Sequence, residues 1–524
     1  MPSSGNSKSG TMFRENFDKY LYRRQYFLGP RPVELPGNWK TVQIAKDYIL
    51  SFQEDLSVTS VSSQNKSIHL LGYIIDSKNP FFDDEHILIS IIDKSKTPDE
   101  VFENLVDKCG QFVVILIMGD TFRIFSDACG LRPVFYHRDN DNRIWCASQP
   151  HLIANNLGLK INEYTRRQFQ QLPLFQGEEY WYPGTLTLFD NIYHLLPNHY
   201  LDIISGKAHR YWPRKVLTSI SMSECLPIVS EILSNIIEGA SYRFNLAFAI
   251  SCGLDSRTLF STSRKVADKI KYFSFSSDNT DKLSPDADIP AKMLRDLRLE
   301  HHIISPLTDI DRELLQVFKK TIFTARQKKV MQALSFYNYF KEENKEFLVI
   351  SGDFSDITKR SRMRFPKTPK ILINGSTLAA MARMPSADLA KKEFSKWLAS
   401  TKKLTKFNID ILDLMHWEQR MANWGAKTLW EHEIIHESLC PFTCRSYIEF
   451  MLRVPLKFRT NPDYKLHRAI IAYNWPEALN YDINPSGNKI KTASENFLYK
   501  TNLYDPIQFL NILFIKRFKS KDLI

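Results

Sequence analysis

The spacing of hydrophobic residues divides the chain into two regions of different character. Between about His69 and Ile204, short β-prone runs dominate, such as 69–75, 111–117 and 121–125. The last two runs are separated only by Met118-Gly119-Asp120, a spacing typical of a hairpin turn. This region is therefore predicted to be rich in strands.

Beyond a Ser/Thr-rich stretch at 211–223, which we interpret as a linker, the pattern changes. In residues 225–240, apolar side chains recur at helical spacing. Short apolar runs then alternate with loops and helix-like segments, and these runs lie at 246–250, 271–276 and 347–350. Such alternation predicts a parallel sheet covered by helices. From about Ala379 onward the chain is predicted to be mainly helical.

Length and charge limit the possible functions. A chain of 524 residues exceeds one ordinary hydrophobic core, so two or more domains are expected. The net charge of +12 favours anionic partners such as nucleotides, but the positive charge is spread along the chain. We therefore expect a basic cytoplasmic enzyme. The longest apolar run, 112–118, is too short for a membrane span, and the polar first dozen residues do not resemble a signal peptide.

The first candidate site is the loop Ser251-Cys252-Gly253-Leu254-Asp255-Ser256, between a strand-like run and a helix-like segment. Small residues at a helix N-terminus expose backbone N–H groups that bind anions. Ser251 and Ser256 can add hydroxyl donors, and Asp255 is suited to phosphate if Mg²⁺ lies between them. A tight strand-to-helix turn, with Ser and Asp as helix caps, explains the same residues equally well.

A second loop, Ser351-Gly352-Asp353-Phe354-Ser355-Asp356, follows the strand-like run 347–350. Open α/β sheets bind ligands at the carboxyl ends of their strands, so the two loops are predicted to face each other. In that arrangement Asp255 and Asp356 would share Mg²⁺.

Both loops resemble those of a known family. SCGLDS is similar to the SGGLDS pyrophosphate loop of asparagine synthetases, β-lactam synthetases and lasso-peptide cyclases, and SGDFSD is similar to their SGEGSD loop. Weaker similarities occur in the family's order over about residues 69–495, at 110–112, 127–136, 192–212, 288–302, 424–426 and 440–442. Each of these similarities alone is weak, but the ordered set is specific.

The resemblance implies a fold class and domain boundaries. After a polar N-terminal segment, residues 1–40, we expect an α+β domain at 41–212, an Ntn-hydrolase-like β-sandwich with helices and a degenerate glutamine amidotransferase. Residues 213–524 are expected to form an α/β synthetase domain of the PP-loop ATP pyrophosphatase type, also described as adenine nucleotide α-hydrolase-like. That domain would have a parallel sheet and a helical C-terminal part.

The resemblance also implies an activity with ATP and Mg²⁺ as cofactors. A substrate carboxylate would be adenylated, with release of pyrophosphate, and an amine would then displace AMP to form an amide. Asp353 is the candidate for positioning or deprotonating the amine, and Lys489 or Lys491 for stabilising the second transition state. Asp255 and Asp356 are the candidate metal ligands. The candidate nucleotide-binding residues are Ser251, Cys252, Gly253, Leu254, Asp255, Ser256, Phe275, Ser276, Ser351, Gly352 and Ser355.

Five departures from the family pattern matter. Pro2 stands where a working glutaminase has its catalytic Cys, and the glutamine-holding NGEIYN stretch is missing, so we expect no glutaminase activity. Cys252 and Phe354 replace glycines, and Asp353 replaces Glu. A side chain at residue 252 could crowd the phosphate, because glycine permits close backbone approach.

Several alternatives remain open. The acid and the amine could belong to one peptide, giving a macrolactam or lasso-type ring, or to two molecules, as in amidation of a sugar acid or a surface polysaccharide. A partner protein could deliver the substrate. The chain could instead be a degenerate nucleotide-binding scaffold or an RNA-modifying PP-loop ATPase, although no RNA-binding module is visible and nucleic acid is not the expected partner. For His301, His302, His416, His432 and His436, structural placement is favoured over a site role.

Overall fold

The N-terminal half forms two antiparallel sheets. The computed structural model describes residues 17–177, 179–276, 284–359, 373–485, 494, 497–498 and 501. The strands of this half are β1 (Tyr26–Gly29), β2 (Trp39–Ala45), β3 (Tyr48–Gln53), β4 (Val58–Ser63), β5 (Lys66–Asp76), β6 (Lys108–Met118), β7 (Thr121–Ser126), β8 (Phe135–Arg138), β9 (Ile144–Ala147), β10 (Ile192–His194), β11 (His199–Asp202) and β12 (Lys207–Arg210). One sheet has the order β10-β8-β9-β1-β3-β2 and the other β12-β11-β7-β6-β5-β4.

The two sheets pack face to face through one side of each strand. Successive side chains of a strand point to opposite faces of its sheet, and the apolar side chains on the inner faces form a shared core. On β6, Val113 and Ile115 join Leu28 of β1 and Leu50 of β3 in one buried cluster. Their neighbours on the opposite face of β6 contact the first helices instead. This two-residue period is that of an extended strand. The predicted hairpin is confirmed, since β6 and β7 pair up to Met118 and Thr121.

The C-terminal half contains a five-stranded parallel sheet. Its strands are β13 (Asn245–Ala249), β14 (Ile270–Phe275), β15 (His301–Ile304), β16 (Phe347–Ile350) and β17 (Ser438–Leu439), in the order β15-β14-β13-β16-β17. All four adjacent pairs are parallel. The three runs predicted as strands from their apolar residues therefore lie side by side at the centre of this sheet.

Helices cover both halves. They are α1 (Asp84–Lys94), α2 (Glu100–Asn104), α3 (Pro150–Leu157), α4 (Glu163–Gln170), α5 (Pro173–Gln176), α6 (Met222–Arg243), α7 (Leu254–Thr262), α8 (Pro285–Asp296), α9 (Arg312–Thr321), α10 (Gln327–Phe340), α11 (Asp356–Lys359), α12 (Gly375–Met381), α13 (Asp388–Thr401), α14 (Ile411–Met415), α15 (Ala426–Glu433), α16 (Arg445–Arg453), α17 (Leu456–Arg459) and α18 (Lys465–Asn474). A π-helix, His416–Gly425, joins α14 to α15. For the described residues beyond Ala379, the predicted mainly helical character is confirmed.

Buried contacts join the two halves. Glu418 is fully buried, accepts hydrogen bonds from Asn198 and Trp397, and pairs with Arg210. The stretch interpreted as a linker also takes part in this packing. Trp212 is 4% exposed, and its indole N–H donates to Glu449 at 2.6 Å. The halves therefore form one continuous packed structure.

The predicted fold class is confirmed: an α+β N-terminal half is followed by an α/β half with a helical C-terminal part. The predicted N-terminal segment, residues 1–40, includes β1 and the start of β2, so part of it belongs to the first sheet. The domain boundaries stay a prediction. None of the described helices has the length and apolar character needed to cross a membrane.

Candidate active site

The two predicted loops meet at the point where the strand order reverses. From central β13 the chain moves to β14 and β15 on one side, and then returns to β16 on the other. Residues 250–253 leave the carboxyl end of β13, and residues 351–355 leave the carboxyl end of β16. A crevice opens where connections leave a parallel sheet in opposite directions, and such crevices bind ligands.

The first loop is held by its own serines. The Ser256 hydroxyl accepts from the Ser251 N–H at 3.2 Å and lies 3.0 Å from the Ser251 hydroxyl. The Ser251 hydroxyl also accepts from the Gly253 N–H at 3.1 Å. These contacts shape the turn into α7, whose first-turn amides have no acceptor within the helix. Both serines line the cavity described below.

Cys252 does not crowd this loop. Its φ lies outside the left-handed region, and its thiol donates to Asp286 of α8 at 3.0 Å. Burial and the adjacent carboxylate raise the pKa of Cys252 to about 12. The thiol is therefore a buried, protonated packing group rather than a nucleophile. Leu254 is also buried, so a ligand can reach residues 252 and 254 mainly through their backbone.

In the second loop Gly352 allows the two loops to touch. A Cβ on Gly352 would lie 2.9 Å from the Ser256 nitrogen and 3.2 Å from the Asp255 carbonyl carbon. Both are backbone atoms of the first loop, so they cannot move aside as the tip of a side chain can. The absence of a side chain at this position therefore sets the distance between the loops.

Asp353 and Ser355 point to different places. Asp353 is exposed, lines the cavity and accepts from the Ser351 hydroxyl at 2.8 Å. Ser355 is buried, and its hydroxyl lies 3.3 Å from Nε2 of His467 on α18. Asp353 is therefore accessible to a ligand, whereas the Ser355 side chain is buried and contacts His467.

Asp255 and Asp356 are brought together by a residue that the sequence analysis missed. The ammonium of Lys359 contacts Asp255 and lies 3.4 Å from Asp356. Lys359 is 5% exposed. Burial by itself lowers the pKa of Lys359, but the two carboxylates outweigh this effect and raise it. The spacing of three residues between Asp356 and Lys359, which brings two side chains together on a helix, was the available sequence signal.

This arrangement does not fit a Mg²⁺ ion held between the two carboxylates, because the Lys359 ammonium lies there. Elsewhere in the described part of the chain, no cluster of three or more His, Cys, Asp or Glu side chains could hold a metal ion. The roles of Asp255 and Asp356 as metal ligands stay a prediction.

The loops open into a cavity of about 450 Å³. Phe273 and Phe275 of β14 both line it, and Phe273 is almost fully buried in a cluster with Phe336 and Phe340 of α10. The Ser276 amide donates to the Ile304 carbonyl at 2.9 Å and continues the sheet pairing. Of the two candidates for nucleotide binding at the end of β14, Phe275 and Ser276, it is Phe275 that lines the cavity and offers a ring contact.

Helices α10 and α15 supply a polar wall that the sequence did not indicate. Lys329 and Gln332 come from α10, and Thr428 and His432 come from α15. His436 also lines the cavity, and burial lowers its pKa to about 4, which keeps it neutral at pH 7. Placement near the site was the less favoured prediction for this histidine pair.

The other candidate residues lie elsewhere. His301 Nε2 lies 2.9 Å from the Ser274 hydroxyl, and His302 Nδ1 lies 3.4 Å from the Tyr339 hydroxyl. His416 is buried. Lys489 and Lys491 lie outside the described residues. The Asn484 N–H donates to the Cys252 carbonyl at 3.0 Å, so the chain preceding them passes beside the first loop.

Comparison with known proteins assigns no family. No family model matches the sequence, and no curated protein matches it significantly. Among solved structures, glutamine phosphoribosylpyrophosphate amidotransferase from B. subtilis, complexed with ADP and GMP, is 10% identical, with a TM-score of 0.23 over 65% of this chain and 73% of its own.

Two further structures are similar at the same low level. An allosteric regulatory enzyme of purine biosynthesis is 10% identical, with a TM-score of 0.24 over 71% of this chain and 74% of its own. A glutamine-dependent NAD⁺ synthetase from Acinetobacter baumannii, in complex with ADP, is 9% identical, with a TM-score of 0.18 over 46% of this chain and 57% of its own. These similarities decide neither substrate nor reaction.

Proposed function

We propose that this chain is an ATP-dependent amide-forming synthetase that activates a substrate carboxylate as an acyl-adenylate. The observation that carries the proposal is the meeting of two small-residue loops at the reversal point of a parallel sheet, above a cavity of about 450 Å³. A cavity of this size accommodates a nucleotide. The N-terminus of α7, behind Ser251 and Gly253, offers an anion site for the phosphates.

In the proposed first step a carboxylate oxygen of the substrate attacks the α-phosphorus of ATP. The bond from the α-phosphorus to the bridging oxygen breaks, and pyrophosphate leaves from the loop around Ser251. Backbone donors at α7 would stabilise the charge on the departing phosphates. The products of this step are the acyl-adenylate and pyrophosphate.

In the second step an amine attacks the acyl carbon, a C–N bond forms and AMP leaves with the electrons of the C–O bond. The exposed Asp353 carboxylate is the proposed acceptor for the amine proton. All seven cysteines of the chain are free and buried, which does not favour a glutaminase thiol that must reach its substrate. We therefore propose that an amine is used directly.

The substrate pair stays a set of alternatives within this proposal. Both groups could lie on one peptide and give a macrolactam, or the acid could be a sugar acid or part of a surface polysaccharide. A partner protein could deliver either one.

A second candidate function is nucleotide binding without turnover, as in a scaffold. The contact of Lys359 with Asp255 and Asp356 favours it, because both carboxylates already have a cationic partner.

The test combines ATP binding by calorimetry with pyrophosphate release from ATP across a panel of carboxylic acids and peptides. Gly352→Ala should weaken ATP binding by about tenfold or more, because its Cβ would force the loops apart. Gly177→Ala is the matched control, since the nearest atom to its Cβ would be 3.7 Å away. Asp353→Asn is assayed for pyrophosphate release in the same way. If the variant releases pyrophosphate as fast as the unmodified chain when the acid is present, Asp353 acts only in the second step.

Three outcomes separate the hypotheses. ATP binding with acid-dependent pyrophosphate release supports the synthetase. ATP binding without release for any acid favours the scaffold. No ATP binding by the unmodified chain contradicts both.

A further inference from the structure

The carboxylates of Asp255, which lines the cavity, and Asp356 share one protein cation, Lys359. Asp255 stands in the first turn of α7, and Asp356 begins α11 after the second loop. Their side chains converge on the Lys359 ammonium, which contacts one and lies 3.4 Å from the other. Two carboxylates held this close repel each other unless a positive charge lies between them.

Lys359 cannot easily leave this position. Its side chain is 6% exposed, and its ammonium lies 5.5 Å from the centre of the Tyr464 ring on the side of α18. The neighbouring His467 is fully buried, and burial, followed by the charge of Lys359, lowers its pKa well below the usual range. A buried ammonium without a carboxylate partner is strongly unfavourable, so a metal ion that displaced Lys359 would leave a buried charge uncompensated.

We infer that Lys359 is a built-in cation that replaces a divalent metal between Asp255 and Asp356, so that the protein itself holds no metal ion there. This inference concerns the same site as the proposed function but does not need the reaction to occur. It adds a charge-balancing residue that the family resemblance does not supply. An ammonium is a fixed single charge, so the site would not depend on free divalent ions for its charge balance.

The inference predicts that removing the ammonium creates a metal site. Lys359→Met keeps the length of the side chain and removes the positive charge between the two carboxylates, the ligand type that Mg²⁺ and Mn²⁺ prefer. Mn²⁺ binding is measured by electron paramagnetic resonance, without nucleotide. The unmodified chain should show no stoichiometric Mn²⁺ binding, whereas Lys359→Met should gain one site per chain. Lys359→Arg, which keeps the charge, should behave like the unmodified chain.

The second measurement is ATP affinity with Mg²⁺ and with a chelator. In the unmodified chain the ATP affinity with Mg²⁺ and the ATP affinity with chelator should differ by no more than about threefold. In Lys359→Met the two affinities should differ by about tenfold or more. The inference would be overturned if the unmodified chain bound one Mn²⁺ per chain and Asp356→Asn abolished this binding. That result does not depend on whether Lys359→Met folds. Absence of ATP binding in every condition would contradict the proposed function, while the Mn²⁺ experiment would still decide the role of Lys359.

Discussion

At the residue scale, the replacements in the two loops have different consequences. Cys252 occupies its position without strain and directs its thiol to Asp286. Phe354 has φ at +72° and is 2% exposed. Glycine adopts this left-handed conformation freely, whereas other residues do so at a cost of about 1–2 kcal/mol. The chain therefore accepts local strain at Phe354 while burying an aromatic ring.

The strain at Phe354 can be measured directly. Both Phe354→Ala and Phe354→Gly should destabilise the protein by about 3 kcal/mol, because a buried ring is lost. The Gly variant should nevertheless be more stable than the Ala variant by about 1 kcal/mol, because only Ala keeps the left-handed strain. Chemical denaturation monitored by fluorescence gives this difference.

Phe336 in α10 provides the matched control, since it is buried with helical backbone. At this position Phe336→Ala should be more stable than Phe336→Gly by about 1 kcal/mol, the reverse of the order at Phe354. The same order at both positions would contradict the left-handed backbone of Phe354.

At the element scale, α6 shows how the sequence specifies a helix that supports the site. Its buried face, which includes Val229, Leu233 and Ile236, has the helical spacing seen in the sequence. Ser221 accepts from the Glu224 N–H at 3.1 Å, and Glu224 accepts from the Ser221 N–H at 2.8 Å. This capping box satisfies amides that the first turn would otherwise leave without partners.

Ser221→Ala should lower the stability of the protein by about 1 kcal/mol, because the N-cap hydroxyl is lost. Ser241→Ala, near the other end of α6, removes only a hydroxyl bonded to the Glu238 carbonyl and should change stability by less than about 0.5 kcal/mol. Thermal unfolding followed by circular dichroism compares the two variants. Equal effects would show that the cap makes no special contribution.

At the scale of the whole molecule, packing of the two halves buries histidines in neutral form. Burial lowers the pKa of His151, His194 and His436 to about 4. In the unfolded chain these groups have ordinary values near 6.5, so the unfolded state takes up protons first as the pH falls. Their contribution to stability is complete above about pH 6.5 and is lost progressively as the pH falls towards 4.

The protein should therefore lose stability between pH 7 and pH 5, with about 2 kcal/mol of the loss due to each of these histidines. His194→Gln should reduce the pH-dependent loss by about that amount. His209→Gln, at an exposed position, should leave it unchanged. Scanning calorimetry at the two pH values provides the comparison, and an unchanged loss in His194→Gln would contradict the burial of a neutral imidazole.

The sequence by itself determined the features that depend on neighbours along the chain. Apolar runs marked β13, β14 and β16, helical spacing marked α6, and small residues after two strands marked the loops at Ser251 and Ser351. Parallel strands have their carboxyl ends at one edge of the sheet, so the sequence also predicted that the two loops meet.

Only the tertiary structure decided which side chains share a location. Lys359 contacts Asp255, which is 104 residues away, and His432 and His436 reach the cavity because α15 packs beside α10. Helical or strand periodicity reports the burial of one face, but it carries no information about which distant element covers that face. Whether a charged residue near a loop faces solvent, metal or another charge therefore follows from strand order and helix packing.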